Sequence, residues 1–383
     1  MTHPLCDTPI GTIPVNMGRR EMLATAALLF LQGCGNDEVE PLSSRYEAAV
    51  GAVLERDHVP GALVSVVVPG EQPWRRALGF ADLDTRAPMD LGSHFPIRSI
   101  TKSFTVTAIL QLVRDGALSL DDRLEGFFPG FPNGDRITIA DLAGMRSGIA
   151  DYSSNPDFVA RLVANPAGAF TEAELAAYGR PGSPRFEPGT QYEYSNTNTV
   201  LLGMIVEALT AQTLADALRS QIYLPLGLSG TAYPHEAALP VPHPTPYSVH
   251  IDTGLAEVQP LIHPSSLAGA GAMVTTLADL EAWGGALGDG RLVGARLQQE
   301  RINRSHAATN GPEYERYGLG IGCIKGWWGH TGSGVGWQAA TLREPMAGAV
   351  IALVVNATPA GGRRNLNLAQ NLFESLADVI ASR

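Results

Sequence analysis

Ser99-Ile100-Thr101-Lys102 is the stretch of this chain best suited to chemistry. On a helix, residues three apart share a face, so the Lys102 amine can reach the Ser99 hydroxyl. A serine hydroxyl is a weak nucleophile until a neighbouring base takes its proton. Ser99 also stands at the mouth of a helical pattern running from Thr101 to Arg114, with Phe104, Ala108, Ile109 and Leu112 on its apolar face and Asp115-Gly116 as its stop. Free backbone N–H groups and the positive end of the helix dipole at such a place stabilise a developing oxyanion. Taken alone, the four residues describe a capped helix with a solvated lysine better than a catalytic pair.

Two further segments change that balance. Tyr194-Ser195-Asn196 stands where a loop runs into another apolar helical pattern (Val200, Leu201, Ile205, Leu209). Near the C-terminus, Gly329-His330-Thr331-Gly332-Ser333-Gly334-Val335-Gly336-Trp337 precedes a strand-like run, and its glycines allow a backbone edge to approach a ligand. Other chemistries find no footing. The chain has no Gly-x-Ser-x-Gly elbow, His-Glu-x-x-His pair or Walker loop, and Gly318, Gly320 and Gly322 do not complete a dinucleotide fingerprint because Cys323 follows. No cofactor and no metal is expected. Asp121-Asp122 reads as a turn, His243, His250 and His263 as solvated loop histidines, and Trp327-Trp328 as either pocket lining or core.

In this order and at these separations, Ser99-x-x-Lys102, Tyr194-Ser195-Asn196 and His330-Thr331-Gly332 resemble the three motifs of the serine β-lactamase and penicillin-binding-protein superfamily. Flanking text is similar as well: Val59-Pro60-Gly61-Ala62, Gly79-Phe80-Ala81-Asp82, Leu118-Ser119-Leu120-Asp121-Asp122 and Ala268-Gly269-Ala270-Gly271-Ala272-Met273. The Tyr-x-Asn motif resembles the class C branch, and His-Thr-Gly resembles secreted D-Ala-D-Ala carboxypeptidases of peptidase S12 type. The resemblance implies a serine hydrolase that works through an acyl-enzyme. Ser99 would attack a carbonyl, Lys102 and Tyr194 would carry its proton, and the backbone N–H groups of Ser99 and Ser333 would form the oxyanion hole. Asn196, His330, Thr331 and Gly332 would bind substrate, Asn196 at an amide and Thr331 at a carboxylate. The substrates implied are peptidoglycan-type peptides, β-lactams or esters.

Two departures bear on substrate. A lysine in the third motif would be a fixed cation, whereas histidine, with a pKa near 6.5, is largely neutral at pH 7. Where the carboxypeptidase carries an arginine for the substrate carboxylate, Tyr317-Gly318-Leu319-Gly320-Ile321 is followed here by Gly322. Lys325 and Arg343 are the available substitutes. A carboxylesterase, which needs no such clamp, is therefore the rival enzyme, and a non-catalytic penicillin- or peptidoglycan-binding module the rival of another class.

These residues need a scaffold that the local patterns sketch. A helix is expected over Ser44 to Arg56, capped by Ser43 or Ser44, and strands over Ala62 to Val68 and Trp74 to Leu78 joined by Pro69-Gly70-Glu71-Gln72-Pro73 as an antiparallel hairpin. Further helices are expected over Ile139 to Met145 and Arg364 to Ile380, and a buried strand over Ala349 to Val355. The simplest assembly is an α+β fold: an antiparallel sheet flanked by N- and C-terminal helices and interrupted by a mostly helical insertion over roughly residues 121–292, with the site between them. The hydrolase domain would span residues 44–383.

Composition sets outer bounds. The chain has 383 residues, 45% of them hydrophobic and 17% charged, and 27 basic against 38 acidic residues give a net charge of −11. That balance excludes the broad basic surface which nucleic acid or anionic lipid requires. Residues 1–34 read as an export signal: Arg19-Arg20 precedes an apolar run from Met22 to Leu31, too short for a bilayer that takes about 20 residues. Leu31-Gln32-Gly33-Cys34 resembles a lipobox, which makes Cys34 the candidate lipidation site, with residues 35–43 as a linker. The expectation is a monomeric, exported protein of the periplasm or cell envelope, or a secreted one, touching membrane only through a lipid anchor. With Cys6, Cys34 and Cys323 its only cysteines, the mature form would hold no internal disulfide.

Overall fold

The computed structural model describes residues 41–180, 184–309, 314–361 and 366–383, so the expected signal and Cys34 lie outside the described residues. The main folded unit is Arg45–Arg383. Its centre is a nine-stranded sheet made of β1 (Gly61–Val67), β2 (Trp74–Asp82), β3 (Ala87–Pro88), β4 (His306–Ala307), β5 (Arg316–Tyr317), β6 (Gly322–Ile324), β7 (Trp327–Gly334), β8 (Trp337–Arg343) and β9 (Val350–Val355). The spatial order is β3-β2-β1-β9-β8-β7-β6-β5-β4, and all neighbours are antiparallel. The strand that follows the first described helix thus pairs with one nearly three hundred residues later, Ala62 opposite Val355. Chain ends build the sheet together, as the sequence implies.

Five helices position the rest: α1 (Leu42–Arg56), α2 (Thr101–Arg114), α3 (Asn196–Thr210), α4 (Leu277–Asp289) and α5 (Leu368–Ala381). All six residues of β9 are buried, which requires cover on both faces, and α4 and α5 both lie against β8 and β9. On α4, Gly284 lies so close to Thr341 of β8 that a Cβ would stand 2.1 Å from its hydroxyl oxygen. α2 is buried from Thr101 to Leu112, so it is a core helix rather than an amphipathic surface one. Phe104 stacks on Trp283 of α4 at 3.7 Å between centroids, and the Trp283 indole donates to the Ser103 hydroxyl at 3.0 Å. α3 packs beside α2, completing the support of both early motifs.

The expected boundaries shift in informative places. α1 starts at Leu42, so Ser43 and Ser44 lie in its first turn and residues 42–43 are helix instead of linker. β2 continues to Asp82. The helix at Ile139 ends at Ala143, ahead of Met145, whose backbone is left-handed at φ 59°. α5 begins only at Leu368, where the Asn367 side chain accepts from the Gln370 N–H and caps it. Between residues 121 and 292 there are short strands as well as helices. Val274–Thr276 pairs with His94–Pro96, and Tyr247–Val249 pairs with Ala357–Pro359 and Ala256–Val258. Three residues are too few to show an alternating pattern, and the partners His94–Pro96 and Ala357–Pro359 are far away in sequence.

Candidate active site

Ser99 sits in a single 3-10 turn, Arg98–Ile100, that leads into α2. The turn is held by Arg98, whose backbone is left-handed at φ 49° and whose buried guanidinium donates to the carbonyls of Gly334 at 3.1 Å and Val335 at 3.2 Å. A non-glycine residue in that conformation is strained and persists only where its surroundings fix it. The nucleophile's turn is therefore fastened to the β7–β8 hairpin. Gly332 makes the junction: a Cβ there would lie 2.1 Å from the Ile97 carbonyl oxygen, so only glycine lets β7 run this close to the Ser99 turn. Ser333, next along β7, keeps its side chain outward, where its oxygen accepts from Gln338 at 3.0 Å.

Lys102 is fully buried, with its amine 2.9 Å from the Ser99 hydroxyl oxygen and 2.7 Å from the Ala270 carbonyl, to which it donates. It also lies over the Tyr194 ring, 4.9 Å from the centroid. Burial pushes its pKa down to about 7, against a smaller opposing pull from Asp151. A neutral amine in this place donates one N–H to Ala270 and keeps a lone pair for the serine proton. The Tyr194 hydroxyl is buried beside the Ser99 hydroxyl. Burial, and then the neighbouring Tyr314, drive its pKa well above the usual tyrosine value, while nearby Ser99 works the other way. Tyr194 is thus a phenol at neutral pH, suited to giving a proton, and Lys102 is the group able to take one.

Asn196 begins α3, its Nδ2 donating to Asp151 Oδ2 at 3.0 Å and to Ser153 Oγ at 3.1 Å. The other Asp151 oxygen accepts from the backbone N–H groups of Ser153 at 3.0 Å and Asn196 at 3.3 Å. Sequence reasoning passed over Asp151, although Asp-Tyr-Ser-Ser is the signature of an Asx turn.

The third motif is more enclosed than its residue types suggest. His330 is fully buried in β7, with Nδ1 2.6 Å from the Thr331 carbonyl and Nε2 2.9 Å from the Tyr317 hydroxyl. Nδ1–H donates to the carbonyl, and Nε2 accepts from Tyr317. Burial, with Lys102 adding to it, lowers the His330 pKa to about 3, so no cation is present there. The hydroxyl of Tyr314 lies 2.8 Å from Thr331 Oγ1 and accepts from the Thr331 N–H at 2.8 Å. Its ring covers Gly322, where a Cβ would stand 2.2 Å from a ring carbon. The volume an arginine at residue 322 would need is filled by Tyr314, a residue the sequence patterns did not single out.

The remaining candidates fall elsewhere. Lys325 pairs with Asp378, and Arg343 packs against Gly288 and Gly348 at the far end of β8. Trp327 stands edge-on to Phe373 of α5, and Trp328 packs against the main hydrophobic cluster. Asp122 closes a turn by accepting from the Ser119 N–H at 2.7 Å. Among the described residues, no group of three or more His, Cys, Asp or Glu is placed to hold a metal ion.

A family model described as Beta-lactamase matches residues 46–373. The D-aminopeptidase of Brucella anthropi is 36% identical over 198 residues, 51% of this chain and 37% of that protein. The D-aminopeptidase of Brucella canis is 33% identical over 183 residues, 48% and 34% of the two chains. The chain spans about a third of the length of these relatives. Among solved structures, the D-amino acid amidase of Ochrobactrum anthropi SV3 superposes with a TM-score of 0.77 at 26% identity, over 88% of this chain and 99% of that one. A D-stereospecific amidohydrolase from Streptomyces sp. superposes with a TM-score of 0.75 at 29% identity, over 88% and 98%. The chain belongs to the beta-lactamase family and has the fold shared by β-lactamases and penicillin-binding proteins.

Proposed function

We propose that the protein hydrolyses small amides or short peptides through an acyl-enzyme on Ser99, in the manner of an amidase or aminopeptidase rather than a D-Ala-D-Ala carboxypeptidase. The observation that carries this is the buried Lys102 amine, 2.9 Å from Ser99 Oγ with a pKa near 7. Ser99 Oγ bonds to the substrate carbonyl carbon as its proton passes to Lys102. The Tyr194 phenol protonates the leaving nitrogen, and the C–N bond breaks. Lys102 returns a proton to Tyr194. Water then attacks the ester and gives a proton to Lys102; the bond from the acyl carbon to Ser99 Oγ breaks, Lys102 passes that proton to Oγ, and the acid leaves. In this reading the backbone N–H groups of Ser99 and Ser333 would serve the oxygen that gains charge.

Carboxypeptidase action needs groups for a terminal carboxylate, and here they are lacking or engaged. Residue 322 is glycine beneath the Tyr314 ring, Thr331 Oγ1 is bonded to Tyr314, and His330 is neutral. The names of the relatives point to the same class of amide substrate. The Gly322–Tyr314 packing also favours a second reading, a carboxylesterase. The deciding panel is D-phenylalanine amide, a D-Ala-D-Ala peptide, nitrocefin and p-nitrophenyl butyrate, each with wild type and Ser99→Ala. Ammonia release from the amide should dominate and vanish in the variant. Faster turnover of the D-Ala-D-Ala peptide than of the amide would overturn the assignment, and turnover of the butyrate alone would favour the esterase.

A further inference from the structure

Three contacts tie the Ser99 turn to the end of β7, and they fall on residues next to both serines. Gly332 abuts the Ile97 carbonyl, where a Cβ would stand 2.1 Å from the oxygen. Arg98 Nε donates to the Gly334 carbonyl at 3.1 Å, and Arg98 Nη2 to the Val335 carbonyl at 3.2 Å. Ile97 and Arg98 directly precede Ser99, while Gly332 and Gly334 flank Ser333. The separation of the Ser99 and Ser333 backbones is thus set by the ties on either side of them, and the Arg98 side chain supplies two of the three.

Holding the junction in this way works against stability. Arg98 is left-handed at φ 49°, a conformation that glycine adopts without strain, and Val335, whose carbonyl it holds, stands at φ 25°. The guanidinium is only 6% exposed, and burial lowers its pKa to about 10, so it is still a cation at neutral pH. Its printed partners are two neutral carbonyls rather than a carboxylate. Strain of this kind collects where a site must keep a set geometry. We propose that Arg98 is a positioning residue for acyl transfer: by gripping both carbonyls with one planar fork, it holds the Ser333 N–H at the spacing from the Ser99 N–H that suits a tetrahedral oxyanion. Its effect then falls on the transition state and leaves substrate affinity nearly unchanged. This rests on the hydrolase function proposed above and adds a residue to its machinery.

Wild type, Arg98→Gly and Arg98→Lys are compared by p-nitrophenol burst kinetics with p-nitrophenyl acetate, by thermal melting, and by inhibition with phenylboronic acid, which forms a tetrahedral adduct on a nucleophilic serine. In Arg98→Gly the acylation rate constant should fall about 100-fold, with ester affinity before acylation within about threefold of wild type and boronate affinity reduced at least about tenfold. The midpoint of the acid limb of acylation should stay in place, because Lys102 and its bond to Ala270 are untouched. The single ammonium of Arg98→Lys cannot reproduce the fork, so its acylation should fall about tenfold. Acylation by folded Arg98→Gly within about threefold of wild type overturns the assignment, as does a loss of acylation with boronate affinity intact or with a shifted midpoint. Should Arg98→Gly fail to fold, wild-type acylation and boronate affinity in Arg98→Lys overturn it equally. A wild type without a burst would overturn the acyl-enzyme itself, whereas a wild-type burst matched by Arg98→Gly overturns the role of Arg98 alone.

Discussion

Acylation of Ser99 should follow the titration of Lys102. Burial brings that amine from an ordinary value of 10.5 to about 7, and only its neutral form can accept the Ser99 proton. The single-turnover acylation rate with an activated ester should thus rise with pH and level off near pH 8. The neutral fraction is about a tenth at pH 6 and about a hundredth at pH 5, so the rate should fall close to tenfold per unit on the acid side. Lys102→Arg supplies the perturbation. It keeps the cation but cannot deprotonate, and acylation should drop by about 10²–10⁴ across the whole range. The same shift has a consequence for stability. The unfolded chain binds more protons than the folded one between pH 7 and 10.5, so burial of Lys102 costs nothing above pH 10.5 and the full amount below pH 7. Over 3.5 units the cost is on the order of 5 kcal/mol. Lys102→Met should gain stability relative to wild type as pH falls from 10.5 toward 7 in urea titrations. Stopped-flow acylation that is flat from pH 5 to 9, or Lys102→Arg retaining more than a tenth of wild-type acylation, would refute the role of the buried amine.

Tyr194→Phe removes a buried hydroxyl whose bonding is confined to Ser99, so its Tm should stay close to that of wild type. Amide turnover should nonetheless fall roughly 100-fold, and more than ester turnover, because an amine leaving group needs the proton; equal loss on both would assign Tyr194 a different role. Gly322→Ala places a methyl group against the Tyr314 ring and should cost about 1–3 kcal/mol in chemical denaturation. A neutral result there would mean Tyr314 is free to move aside. Palmitate labelling in a bacterial host should mark the protein and be lost in Cys34→Ala, and a labelled Cys34→Ala would contradict lipidation at that residue.

What the sequence made legible and what it hid divide along the range of the interactions. α2 matches its expected span of Thr101–Arg114 because apolar spacing and the Asp115-Gly116 stop are local signals. The Lys102–Ser99 contact was legible from the three-residue spacing, although Ser99 lies in the 3-10 turn ahead of α2. Asp151 and Tyr314 were invisible because their meaning comes from partners across the fold: Asn196 lies 45 residues from Asp151, and Thr331 lies 17 from Tyr314. His330 illustrates the middle case. Its type implies a group mostly neutral at pH 7, but the enclosure that takes its pKa to about 3 comes from packing in β7 and the proximity of Lys102. The strain at Arg98 was hidden as well, since no local pattern announces a left-handed arginine tied to a hairpin more than two hundred residues away.

The proposed chemistry requires a covalent bond to one oxygen, Ser99 Oγ. Rapid-quench mass spectrometry of the enzyme mixed with p-nitrophenyl acetate, followed by peptide mapping, tests it directly. An acetyl group on the peptide holding Ser99, formed within the burst and absent from Ser99→Ala, is the expected result. Acetylation at another residue during the burst, or undiminished turnover by Ser99→Ala, would contradict it.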